Sequence, residues 1–76
     1  MISIELIFPL KGKRLCMRVV ETTSVGDLKK YLSTFFGVRK EDILMLTSGE
    51  TISDEMSLAD AGMHTGSGVL IEDGYP

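Results

Sequence analysis

Tryptophan is absent from the 76 residues, cysteine and histidine occur once each, and proline only twice. The single thiol, Cys16, excludes an internal disulfide, so nothing staples the fold. With only His64 beside it, Cys16 cannot complete a structural zinc site, which takes four ligands. A reducing compartment is the simplest setting for such a chain. No apolar run approaches the length of a membrane span, and the N-terminus lacks the basic, apolar and cleavage-site order of a secretion signal. The expected location is therefore cytosol or nucleus, with no membrane partner. A cationic excess is missing too: eight Lys and Arg stand against eleven Asp and Glu, for a net charge of −3. A free-standing nucleic-acid binder of this size would carry a basic surplus, so no nucleic-acid partner is expected.

What is present suffices for one domain over residues 1–76 and not for two. Apolar residues make up 43% of the chain, which argues against disorder. A chain this short buries roughly 60% of its unfolded surface, so one compact core must supply all the stability. From Met1 to Phe8 the residues alternate: Ile2, Ile4 and Leu6 form the core-facing set, with Ser3, Glu5 and Ile7 facing away. The turn at Pro9–Lys13 contains Gly12 and leads into a second strand at 14–20. There Leu15, Met17 and Val19 face one way and Arg14, Cys16 and Arg18 the other, completing a hairpin.

Ser24 is a good N-cap, and Asp27 at the third helical position suits both the cap and the helix dipole. Val25, Leu28, Leu32 and Phe36 recur at helical spacing, which predicts a helix over 25–36 stopped by Gly37. Phe35 borders that apolar arc and Tyr31 lies further out. Gly26 in the first turn should cost up to about 1 kcal/mol against Ala, so Gly26→Ala should stabilise. A polar connection over 38–42 precedes a strand at 43–47. A turn at 48–50, a short extended piece at 51–52, irregular chain over 53–62 with one helical turn near Leu58, and a last strand at 69–72 follow. The tail 73–76 should fray. One long helix must cover the apolar face of a mixed sheet, which makes a two-layer α+β domain.

No catalytic constellation emerges. A nucleophilic role for Cys16 would need a nearby base or cation; Arg14 and Arg18 flank it, but no base stands near it in sequence, and a small residue on a half-exposed strand is the simpler reading. His64 reads as a surface loop residue. The adjacent carboxylates Glu41-Asp42 and Asp54-Glu55 read as solvated loop charges. Gly66 and Gly68 do not open a helix and make a poor phosphate cradle. The chain is read as a non-enzyme with no cofactor and no metal.

Four segments together resemble the ubiquitin family. Leu10-Lys11-Gly12-Lys13 resembles its first hairpin turn, and Ser24-Val25 with Leu28 and Leu32 resembles the start and core face of its helix. Met45-Leu46-Thr47-Ser48-Gly49 followed by Ile52 resembles its third strand and the turn after it. Ser57-Leu58-Ala59-Asp60, with Met63, resembles a later loop. The match runs from Ile2 to Glu72 with one extra residue in the first hairpin. It implies a ubiquitin-like β-grasp fold, a mixed sheet of four to five strands with one long helix across one face. Conjugated members end in Gly-Gly; these 76 residues contain no Gly-Gly, which implies a non-conjugated type. Glu50 and Thr65 replace the two lysines most associated with chain linkage, whereas the lysines of the first turn and early helix have matches in Lys13 and Lys29.

Strand phase places Leu44, Leu46 and Leu70 on the sheet face away from the helix, with Ile7 beside them, and a cluster of exposed apolar residues on neighbouring strands marks an interface. The resemblance points to the same face. It implies a partner-binding set of Leu10, Leu44, Leu46, Leu70, Glu72 and Glu50, with acidic replacements that suit a protein partner with basic flanks. The expected role is an interaction module integral to a larger protein, docking to a ubiquitin-pathway or related partner and monomeric in isolation. The alternative is a structural domain packed inside its parent, as in modifier-activating enzymes or tubulin-folding cofactors. A sulfur carrier would need a terminal Gly-Gly, and an iron–sulfur β-grasp protein four cysteines.

Overall fold

The computed structural model describes residues 1–47 and 52–72. Strand β1 (Ile2–Phe8) and strand β2 (Lys13–Val19) pair antiparallel, with Ile2 opposite Val19 and Phe8 opposite Lys13. Gly12 takes a left-handed φ of 63° in the turn between them, a conformation that side chains with a Cβ resist. Helix α1 (Val25–Phe36) follows, then a 3-10 turn at Lys40–Asp42 and the short strands β3 (Ile43–Leu46) and β4 (Gly68–Ile71). The sheet order is β2-β1-β4-β3, with β1 and β4 parallel and the other pairs antiparallel. The mixed sheet with one helix across it is the two-layer α+β domain expected from the element order and the β-grasp implied by the resemblance.

The period-two and helical patterns meet in one core. Ile4 and Leu6 of β1, Leu28 and Leu32 of α1, and Val69 and Ile71 of β4 are all buried. Each such side chain contributes about 1.5–3 kcal/mol by leaving water. Phe8 joins them, edge-on to Phe36 with ring centroids 4.9 Å apart.

The helix start is held by more than its cap. The Asp27 amide donates to Ser24 Oγ at 3.1 Å, while the amides of Val25 and Gly26 donate to the carbonyls of Met56 (2.8 Å) and Asp54 (2.9 Å). Helices leave their first amides without intrahelical acceptors; here the irregular segment 52–62 supplies two of the acceptors. Leu58, fully buried, anchors that segment, and its amide donates to the Thr23 carbonyl at 2.8 Å. At the other end Gly37 adopts φ 68°, and its amide and that of Val38 return to the Ser33 carbonyl.

The structure departs from the sequence reading in four places. Gly26 is not a tolerated weakness: a Cβ there would lie 3.1 Å from both the Asp54 carbonyl oxygen and Asp54 Cβ. Val38, read as part of a polar connection, is buried, because the reversal at Gly37 turns it back onto the core. Leu15 is 46% exposed although it lies on the helix side of the sheet. Strands β2, β3 and β4 span Lys13–Val19, Ile43–Leu46 and Gly68–Ile71, not 14–20, 43–47 and 69–72. The turn at 48–50, Thr51 and the tail 73–76 lie outside the described residues.

Candidate protein-docking surface

On the sheet face away from α1, the register lines side chains into rungs across all four strands. One rung runs Arg14, Ile7, Leu70, Leu44, and the next Cys16, Glu5, Gly68, Leu46. The leucines chosen by strand phase are therefore neighbours. Leu44 and Leu46 are 45% and 46% exposed, and Leu70 and Ile7 are half-buried. Gly68 sits at the centre. A Cβ on it would lie 3.3 Å from Ile7 Cδ1 and from Leu46 Cδ1, so those two side chains close over the glycine and join the halves of the patch. Gly68 is a part of the surface that strand phase alone does not reveal.

The remaining expected residues are placed less uniformly. Glu72 follows β4, exposed, and its amide donates to the Asp42 carbonyl at 2.7 Å, which fixes an acidic end to the leucine rung. Leu10 projects from the tip of the β1–β2 turn, exposed and outside the ladder rungs. Glu50 lies outside the described residues.

Charge across this face is two-sided. Arg14 and Arg18 share it with the leucines, being opposite Ile7 and Ser3 in the ladder; they do not enter the space between β2 and α1. Arg14 Nη1 is 3.2 Å from Glu5 Oε1. The β2 side is thus basic and the Glu72 end acidic.

The candidates set aside in the sequence remain apart. Cys16 is exposed on an edge strand. His64 is exposed in the loop before β4, with Nδ1 2.9 Å from the Thr65 carbonyl oxygen. Lys29 is paired with Asp54 at 3.3 Å. Among the described residues no group of three or more His, Cys, Asp or Glu side chains is placed to hold a metal, and no helix is long and apolar enough to cross a membrane.

Sequence reasoning missed a second exposed apolar set. Tyr31 (52% exposed) and Phe35 (67% exposed) stack with centroids 5.9 Å apart on the flank of α1 beside β2. Their spacing of four residues, off the core arc, was the available signal.

The ubiquitin family model matches residues 2–71. Ubiquitin-like modifier HUB1 of Eremothecium gossypii is 36% identical over 56 residues, which span 74% of this chain and 77% of the relative. Among solved structures, the ubiquitin of Caldiarchaeum subterraneum superposes with a TM-score of 0.74 at 14% identity, covering 99% of this chain and 95% of that one. The C-terminal ubiquitin-like domain of mouse tubulin-specific chaperone e does so with a TM-score of 0.73 at 15% identity, covering 99% and 88%. At those identities the superpositions speak for the fold alone, and it is the family model and the sequence relative that establish membership: the chain belongs to the ubiquitin family.

Proposed function

We propose that this chain is a non-catalytic protein-interaction module that docks a protein partner through the outward sheet face. The observation that carries the reading is the closure of Ile7 and Leu46 over Gly68, which joins Leu44, Leu46 and Leu70 into one half-exposed apolar strip on short neighbouring strands. Covering it yields roughly 25 cal/mol per Å² of apolar surface before ordering costs. Glu72 at one end favours a partner with a cation there, since like charges facing each other across an interface cost several kcal/mol. A partner of the ubiquitin pathway, a monomeric state in isolation, and residence in cytosol or nucleus belong to this proposal.

Attachment to lysine through a Gly-Gly end is not part of it, because the 76 residues contain no Gly-Gly. The family includes proteins named modifiers, as in the HUB1 relative, and ubiquitin-like domains within larger proteins, as in the tubulin chaperone. The docking reading is the same for either arrangement. The competing structural role predicts that the strip is covered by the rest of one polypeptide. A photo-crosslinker placed at Leu46, with one at exposed Glu55 as control, tests this in cell extract. A discrete protein adduct from position 46 alone supports docking; equal labelling from both positions contradicts it.

A further inference from the structure

We propose that Met56 is a site of reversible oxidation, at which a peroxide makes the sulfoxide and so frees the 52–62 segment from the start of α1. Four backbone bonds hold that segment in place. The carbonyls of Met56 and Asp54 accept from Val25 and Gly26, and the amides of Leu58 and Ala59 donate to the carbonyls of Thr23 and Glu21. The sulfur of Met56 closes the turn that presents the first two of these acceptors. The Ser53 amide donates to Met56 Sδ at 3.3 Å, while the Met56 amide donates to the Ser53 carbonyl at 3.1 Å. A thioether is a weak acceptor, and among the described residues no other methionine sulfur takes a hydrogen bond. Met17 and Met45 are half-buried and pack against the core from the sheet, Met63 is buried, and Met1 is exposed at the chain start.

One sulfur lone pair takes the Ser53 amide, and the other is left for attack. The side chain is half-buried and follows three exposed residues, Ser53, Asp54 and Glu55, so a peroxide reaches it in the folded chain. The lone pair attacks one oxygen of hydrogen peroxide, the O–O bond breaks as the S–O bond forms, and the second oxygen leaves with both hydrogens as water. The sulfur is oxidised and the peroxide reduced. The product does not fit the turn. A gap of 3.3 Å between nitrogen and sulfur holds a hydrogen bond and no further heavy atom, so the new oxygen cannot stand between them. Turned inward, it meets the apolar core and loses its hydration. The side chain therefore swings out to water, the Ser53 amide loses its acceptor, and the turn carrying the Asp54 and Met56 carbonyls loosens. Methionine sulfoxide reductases restore the thioether, which makes the release reversible.

The test exposes the 76-residue chain to hydrogen peroxide, reads the sulfoxide at each methionine by peptide mass spectrometry, and follows amide hydrogen exchange. Met56 should gain one oxygen while Met63, 4% exposed, stays reduced. The amides of Val25 and Gly26 should then exchange about tenfold faster or more, with those of Leu6 and Val69 in the sheet unchanged. Treatment with methionine sulfoxide reductases should restore slow exchange. Met56→Leu conserves volume and apolar packing, and its Val25 and Gly26 amides should not respond to peroxide. Met17→Leu and Met45→Leu should respond as the unaltered chain does. The proposal is overturned if Met56 stays reduced while Met17 or Met45 is oxidised, or if its sulfoxide leaves exchange at Val25 and Gly26 unchanged. It is equally overturned if Met56→Leu keeps the response, or if the sheet amides speed up together with those of the helix start, as in global unfolding.

Discussion

The backbone amide of Gly26 donates to the carbonyl of Asp54 at 2.9 Å, and a Cβ on Gly26 would stand 3.1 Å from that same oxygen. The glycine is what lets the 52–62 segment lie against the first turn of α1. At an open helical site, Gly→Ala gains up to about 1 kcal/mol. Here the added methyl meets backbone, and overpacking of that kind costs about 1–3 kcal/mol. Gly26→Ala should therefore destabilise the fold by roughly 1 kcal/mol, measured by urea melts. A stabilised variant would show that the segment yields freely.

Ser24→Ala removes the acceptor for the Asp27 amide alone, since Val25 and Gly26 keep the carbonyls of Met56 and Asp54. The expected loss is about 1 kcal/mol. A loss several times larger, in the same melts, would mean that the cap also holds the 52–62 segment in place.

Glu21 Oε2 lies 2.7 Å from the Met1 ammonium, and that hydrogen bond holds its carboxyl below the ordinary range. A depressed carboxylate pKa contributes stability above the unfolded-state value and loses it as pH falls through the folded-state value. As pH falls from the ordinary carboxylate value toward the lower folded-state value, then, Glu21→Gln should flatten the stability curve of the 76-residue chain. Parallel curves for the two proteins would contradict the pairing.

With no Gly-Gly in the sequence, the 76-residue chain should form no thioester when incubated with ATP and a panel of ubiquitin-family activating enzymes. Those enzymes adenylate a terminal glycine carboxylate, and a covalent adduct on any of them would oppose the non-conjugated reading.

The fold was legible because its signals are local and agree. Ser24, the arc Val25–Leu28–Leu32–Phe36 and Gly37 bound a helix at 25–36 without knowledge of its neighbours, and alternation in β1, β3 and β4 assigns each residue a face. Legibility ended where distant segments meet. Nothing near Gly26 in sequence announces Asp54, and nothing near Val38 shows that Gly37 folds it inward. For the docking surface, phase alone placed Leu44, Leu46 and Leu70 outward. That they form one strip depends on the β1–β4 and β3–β4 registers, which bring Ile7 and Leu46 over Gly68. The β1–β2 register puts Arg14 and Arg18 on that face as well, opposite Ile7 and Ser3.

The most direct measurement of the docking claim is an amide chemical-shift map of the labelled chain with the protein captured by the crosslinker at position 46, repeated on Leu46→Ala and Gly68→Ala. Leu46 is half exposed, so its truncation should cost less than about 1 kcal/mol of stability while weakening binding about tenfold or more. Gly68→Ala should displace the tips of Ile7 and Leu46 and weaken binding likewise. Shifts centred on Ile7, Leu44, Leu46, Gly68 and Leu70, lost together in both variants, are the predicted result. Shifts that leave those residues unmoved, or binding that survives both substitutions, would contradict a sheet-face docking module.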